Sequence, residues 1–296
     1  MEIGCHLPTT QAPETMGDAL VTFAREAERL NVASLWVSDH VIIREGEHRL
    51  RARRELSASP ERPYLEAVTA LAAAAVCTRR ARLGSSVFIL GHRHPVLMAK
   101  MLASIDAPVE RPAHLRRRRR AGGEELEILG TPFNARGRQG DEACARSRRC
   151  GRRDSPRSRA SARSATSASR RSRCRSRIRR SGSAERARAR VPSRRHPGRR
   201  LARVSRSVAQ LREGLAQLAR PRRTGRAWET IEISLRFGLS DELVAQGKQA
   251  VVDQLCEYKR PGVRHTLVEF RRLDLGRMMD LLGLVAETVR PAVDAA

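Results

Sequence analysis

Residues 33–40, ASLWVSDH, form a nearly continuous apolar run that ends abruptly in three polar side chains. A strand reads this way only when both of its faces are covered, because a sheet with one wet face alternates instead. The run therefore calls for a parallel sheet flanked by helices, or for a barrel wrapped in them. Its surroundings agree. The short apolar stretch EIGCHLP (2–8) is followed by Leu20, Phe23, Ala24, Ala27 and Leu30 on one helical face. After a charged loop over 41–61, LEAVTALAAAAVCT (65–78) reads as a helix, RLGSSVFIL (82–90) as a strand, and Pro95 opens a helix to Asp106. The order is βαβαβα.

The same rhythm returns near the C-terminus. Val208, Leu211, Leu215 and Leu218 line one face of a helix, and TIEISLRFG (230–238) reads as a strand. Ser240 can cap a helix running to Lys259, with Asp241 and Glu242 favouring its N-terminal dipole. VRHTLVEF (263–270) follows a Pro261-Gly262 turn, and Leu275, Met278, Met279, Leu282, Val285 and Val289 mark a closing helix. The units on both sides, with room for more between them, predict an α/β fold of the (β/α)8 TIM-barrel type over 1–296 as a single domain. A doubly wound open sheet is the weaker alternative, since no GxGxxG follows the first strand.

Between these halves the chain changes character. The formal charge is +27, yet residues 107–123 and 144–204 carry +26 of it, and the other 218 residues carry +1. Only Lys100, Lys248 and Lys259 are lysines, so the excess is arginine. A uniformly basic protein is excluded. The segment 155–181 looks like an Arg/Ser stretch able to hold nucleic-acid phosphates, which makes a basic nucleic-acid-binding protein acting through 144–204 the alternative function. No aromatic residue lies between 134 and 227 to stack a base, so that binding would be nonspecific. Both blocks are candidates for disorder, and they predict a barrel incomplete or distorted in its middle third.

No apolar stretch approaches eighteen residues, and MEIGCHLP lacks the layout of a secretory signal, so a cytoplasmic protein with no membrane contact is expected. The six cysteines form no CxxC pair, which argues against a metal cage or disulfide framework, and no metal is expected. The HRH of His92 and His94 reads as loop and helix start.

Several stretches resemble the bacterial luciferase-like oxidoreductases, especially the branch that uses the deazaflavin coenzyme F420. They are IGCHLP, LWVSDHV (35–41), RLGSSVFILGHRHPVLMAKMLASID (82–106), EELEILGTPFNARG (124–137), GRAWETIEISL (225–235) and GVRHTLVEF (262–270). The resemblance implies a (β/α)8 barrel and a monooxygenase or other oxidoreductase. Such an enzyme transfers hydride or oxygen on a small-molecule substrate, with coenzyme F420, or alternatively FMN, at the C-terminal mouth. A homodimer is an open expectation beside it. The departures fall on the two blocks, where the family carries a glycine-rich loop, a strand like PPIWIGG and helices bearing tryptophan. The genetic code offers an account. Read from the third base of plausible GC-rich codons, two segments of the second block, Arg146–Gly151 and Arg177–Ser183, become LAALW and DPPIWIG, so a frameshift is the hypothesis for the arginine-rich blocks.

In a parallel barrel, function gathers at the C-terminal strand ends, where Ser38, Asp39 and His40 fall. A carboxylate beside an imidazole suits general acid or base work, which makes Asp39 and His40 the catalytic candidates. One of the two, by strand alternation, faces the mouth. By resemblance, His40 also faces the cofactor. Ser85, Ser86 and Val87 correspond to the third-strand bend where the family has a non-prolyl cis peptide against the cofactor ring. Cys5 and His6 end the first strand and are candidates to line the mouth. Glu124 and Glu125 resemble the acidic start of the family's fourth helix, although the strand that should position them is not readable.

Overall fold

The computed structural model describes residues 1–10, 16–42, 64–109, 114–118, 123–132, 134, 181–185, 200–203, 207–219, 232–270 and 274–296. In chain order the first half has β1 (Glu2–His6), α1 (Met16–Arg29), β2 (Ser34–Val37), α2 (Ala67–Cys77), β3 (Arg82–Ile89) and α3 (Pro95–Val109). It continues with β4 (His114–Arg118), α4 (Gly123–Ile128), β5 (Ser181–Glu185), β6 (Arg200–Arg203), α5 (Val208–Ala219) and β7 (Glu232–Leu239). The last elements are α6 (Asp241–Ala245), α7 (Lys248–Lys259), β8 (Val263–Phe270), α8 (Leu275–Gly283), a π-helical turn (Leu284–Val289) and α9 (Arg290–Ala295).

The eight strands pair in sequence order, all parallel, and β8 pairs back onto β1 to close the ring. The open doubly wound sheet is thereby excluded. The middle third differs from expectation in one respect: its strand ladder is complete. The fourth strand, not readable from sequence, forms at His114–Arg118 and pairs with β3 on one side and β5 on the other. Ladder bonds are made by backbone groups that every residue here possesses, so an Arg/Ser composition does not forbid them. Strands β4, β5 and β6 have 5, 5 and 4 residues, like the 5 and 4 of β1 and β2 and against 8 in β3, β7 and β8. The rest of both arginine-rich blocks lies outside the described residues, and with it the disorder expected there.

The helices bury the faces that the sequence marks. Leu20, Phe23, Ala24 and Ala27 of α1 are fully covered, as are Ala67, Leu71, Ala74 and Ala75 of α2. Each fully buried Leu or Phe contributes about 1.5–3 kcal/mol. Glu28 near the end of α1 ties this layer to the sheet, its carboxylate accepting from the backbone N–H groups of Arg79 (3.0 Å), Arg80 (2.6 Å) and Ala81 (2.9 Å) in the turn before β3.

The helix expected from Ser240 to Lys259 is two helices. Ser240 caps α6, its hydroxyl accepting from Leu243 N at 3.3 Å, and Gly247 at φ 98° then breaks the run. That angle is open to glycine and strained for other residues. The second strand is also shorter than read, ending at Val37, so Ser38, Asp39 and His40 sit in the loop beyond it. Their directions are consequently set by partners and not by strand alternation.

Candidate functional site

The N-terminal part of the lumen is a closed polar layer. The His265 ring lies between the Ser34 and Ser234 hydroxyls, 2.9 Å from Nε2 and 2.6 Å from Nδ1, and Trp36 donates to Ser34 Oγ at 2.8 Å. All four side chains are buried, which plugs that end of the barrel.

Above it, polar groups converge from several strands. Arg236 of β7 donates to the Glu269 carboxylate of β8 through Nε at 2.8 Å and also through Nη2. Its Nη1 donates to the Ser86 carbonyl at 3.1 Å. Strands β3 and β7 stand four places apart in an eight-membered ring, so this bond crosses the lumen. Burial opposes the Arg236 charge, and the Glu269 carboxylate more than restores it. The Ser86–Val87 peptide bond is cis, and the β3–β4 register shifts between Ser86 and Phe88. Ser85 and Ser86 are buried and Val87 is half-buried.

His6, at the end of β1, places Nδ1 2.9 Å from the Leu7 carbonyl and Nε2 2.9 Å from Ser38 Oγ. Burial, with the Arg236 charge adding to it, pushes its pKa down to about 4. The ring is therefore neutral at pH 7. Since a carbonyl can only accept, Nδ1 holds the proton and Ser38 donates to Nε2. The buried Tyr64 phenol completes this group beside the Ser38 and Thr9 hydroxyls, its pKa raised by burial. Cys5, in contrast, points into the apolar shell, where burial pushes its thiol up to about 12. It does not line the mouth, because it and His6 are successive residues of one strand.

His40 stands at the rim. Its ring meets Tyr64 edge to face at 5.9 Å, and its Nδ1 lies 3.4 Å from Glu125 Oε2. Asp39 turns the other way. It is 1% exposed, and its two oxygens accept from Arg93 at 2.9 and 2.7 Å and from Ile89 N at 2.9 Å. Burial opposes its charge, but His92, Arg93 and the Ile89 amide together hold its carboxyl below the usual carboxylate range. Asp39 thus serves as an anchor for the segment after β3, because its two oxygens are turned inward to Arg93 and Ile89 N and away from the mouth. Arg93 extends the anchor to Glu66, the N-cap of α2.

Glu125 of α4 is buried too. Its Oε1 accepts from Val41 N at 2.8 Å and Ile42 N at 3.3 Å, so it holds the backbone that carries His40. Burial opposes its charge, but His40, His92 and the Val41 amide hold its carboxyl far below the usual range. The side chain of Glu124 lies outside the described residues. Among the described residues no group of three or more His, Cys, Asp or Glu side chains is placed to hold a metal ion, and no helix is long and apolar enough to cross a membrane.

The sequence reading did not single out Tyr64, Arg93, Arg236 or Glu269. Arg236 and Glu269 carried a usable signal: Ser234 and Arg236 in β7, and His265 and Glu269 in β8, are polar at spacings of two and four. That pattern marks one face of each strand, and here the face is the lumen.

A closed ring of eight parallel strands with a polar constellation at its C-terminal mouth defines a (β/α)8 enzyme barrel. Residues 1–109 match the family model described as luciferase-like monooxygenase. That sequence match covers a little over the first third of the chain, and the fold is shared with solved structures along nearly its whole length. Among solved structures it is similar to the monooxygenase RslO1 from Streptomyces bottropensis, with 16% identity, 98% of this chain and 99% of that chain covered, and a TM-score of 0.69. It is similar to an F420-dependent secondary alcohol dehydrogenase solved with an F420-acetone adduct, with 13% identity, 99% and 98% covered, and a TM-score of 0.67. The FMN-bound oxygenating constituent of 3,6-diketocamphane monooxygenase from Pseudomonas putida matches at 12% identity, 98% of each chain and a TM-score of 0.67. Comparison with curated protein sequences finds no match.

Proposed function

We propose that this protein transfers hydride or oxygen on a small organic substrate, with coenzyme F420 or FMN bound at the mouth of the barrel. The observation that carries this reading is the convergence of His6, Ser38, Tyr64 and Arg236 on the lumen opposite Ser86, with His40 at the rim. These groups fit the edge of a flavin or deazaflavin ring. They supply neutral hydroxyl and imidazole partners plus one guanidinium whose charge Glu269 already balances. Ser85, Ser86 and Val87 would lie against such a ring. A bound ring of this kind supplies the two-electron chemistry.

The chain's own residues would do the rest. His40, with Nδ1 turned to Glu125, presents its other ring nitrogen for proton exchange with substrate. Asp39 and Arg93 fix the loop on which His40 sits. Arg236 holds the Ser86 carbonyl and favours negative charge developing near it. The plugged lower lumen shields the reacting centre from water on that side.

Fluorescence titration of the purified protein with coenzyme F420 and, separately, with FMN tests this reading. Saturable binding of one of them that weakens in Arg236→Ala is the expected result. Binding of neither would overturn it. The relative affinities would also choose between the deazaflavin and flavin forms, for which the structural relatives give precedents of both kinds.

A further inference from the structure

His92 lies just past β3, its side chain fully buried, with Nδ1 3.7 Å from Asp39 Oδ2 and Nε2 3.6 Å from Glu125 Oε2. Neither ring nitrogen has a partner at hydrogen-bond distance. We propose that His92 is protonated on both nitrogens and, as an imidazolium held between Asp39 and Glu125, is the positioning residue for His40.

The geometry leaves little alternative. A neutral imidazole has one N–H and one lone pair, so one of its nitrogens would turn a lone pair toward a carboxylate oxygen in a buried setting. An imidazolium presents a proton to each. The local charges require the same thing. From β2 and its loop come Asp39 and His40, from the start of α2 comes Glu66, from α4 comes Glu125, and from the residue beside His92 comes Arg93. Arg93 is engaged with Asp39 and Glu66. Among the described residues Glu125 has no lysine or arginine partner, and the side chains within ion-pair distance of it are the imidazoles of His40 and His92. A buried carboxylate without a cation is costly, and His92 is the buried group placed to supply one. Burial works against this charge, and the carboxylates of Asp39 and Glu125 outweigh it to raise the His92 pKa above its ordinary value.

The consequence passes through Glu125. The same carboxylate that faces His92 accepts from Val41 N and Ile42 N and meets His40 Nδ1. The loop is clamped tightly enough for small shifts to matter. Thr131 donates to the Gly91 carbonyl at 2.8 Å, and a Cβ on Gly91 would come within 2.5 Å of Leu126 beside Glu125. Loss of the His92 proton from Nε2 leaves Glu125 facing a lone pair and loosens its hold on residues 40–42.

This inference rests on His40 acting at the mouth, but its test needs neither cofactor nor substrate, so it fails or stands independently of the proposed function. With histidine labelled at its ring nitrogens, the unliganded full-length protein should show both His92 nitrogens protonated at pH 7 and losing one proton only on the alkaline side of it. Amide exchange of the segment spanning 38–42, corrected for intrinsic pH dependence, should step up through the same midpoint. In His92→Gln it should be about tenfold faster at pH 7 and show no such step. A singly protonated His92 at pH 7 would overturn the proposal, as would a pH step that survives in the Gln variant. Should that variant not fold, the ring-nitrogen measurement on the native chain decides alone.

Discussion

Arg236 reaches across the lumen from β7 to the carbonyl of Ser86 on β3 while its other edge grips Glu269 on β8. Three strands from two sides of the ring are thus held by one guanidinium. Truncation leaves Glu269 a carboxylate buried without its cation, and removing one member of such a pair costs about 3–5 kcal/mol. Arg236→Ala should lower the urea midpoint accordingly, and Arg236→Met combined with Glu269→Leu should recover much of the loss. An unchanged midpoint in the single variant would show that the pair contributes nothing.

Proton transfer by a positioned side chain contributes about 10²–10⁴-fold to turnover. His40→Ala should reduce kcat by an amount in that range on whichever cofactor binds, with the thermal midpoint little changed, since the ring lies at the rim. Asp39→Asn should act mainly on stability, because its oxygens serve Arg93 and Ile89 N. Steady-state kinetics beside thermal melts separate the two roles.

Stability should fall on both sides of neutrality, for different reasons. His92 has a raised pKa, so its contribution is complete below about 6.5 and is lost as pH rises through its higher native value. His6 has a lowered pKa, so the folded state resists its protonation and stability declines as pH falls from about 6.5 toward 4. The span between those values corresponds to ~3–4 kcal/mol. Asp39 and Glu125, both lowered, add to the acid limb below about 4.5. Chemical denaturation from pH 4 to pH 9 should show these limbs. His6→Asn should flatten the upper part of the acid one and His92→Gln the alkaline one.

Glu28 accepts three successive backbone N–H groups in the turn before β3. Glu28→Ala should destabilise by about 1–3 kcal/mol, the cost of leaving such donors poorly satisfied. Gly91→Ala should cost a similar ~1–3 kcal/mol by overpacking against Leu126 and Thr131. Both are measured by equilibrium unfolding, and a neutral Gly91→Ala would mean that α4 moves freely from β3.

Sequencing the coding DNA across codons 100–210 tests the frameshift account of the arginine blocks. Compensating single-base insertions or deletions at the block edges are expected. A clean reading in the present frame would remove that account.

The scaffold was legible where side-chain pattern and burial coincide. The run around Trp36 announced a doubly covered strand, and β3 and β8 fall within a residue of their expected bounds. His40 could be pointed to because strand ends are where a barrel gathers function, and the Ser86–Val87 bend only through the resemblance carried by residues 82–106. The partners of those residues were not legible, since alternation alone does not say whether the polar face bearing Arg236 and Glu269 turns to water or to the lumen. In a barrel the polar face can be the inside, and only ring closure tells which. His92 was read as an ordinary loop residue because its two carboxylates are 53 and 33 positions away in the chain. The strands of the middle third escaped notice because their pairing is a backbone property.

The ring order β7-β8-β1-β2-β3 is a contiguous arc, and all five of its strands lie in the near-neutral parts of the chain. Its seam joins Glu2 to His265 and Gly4 to Leu267. During synthesis, therefore, the first three strands leave the ribosome without the neighbour that completes them. They must wait while the whole arginine-rich stretch is made, with β1 exposed as an unpaired edge throughout. Vulnerability to aggregation or proteolysis in this protein is greatest before its last thirty or so residues emerge, and a chaperone that shields nascent edges would act on the β1 side of that arc.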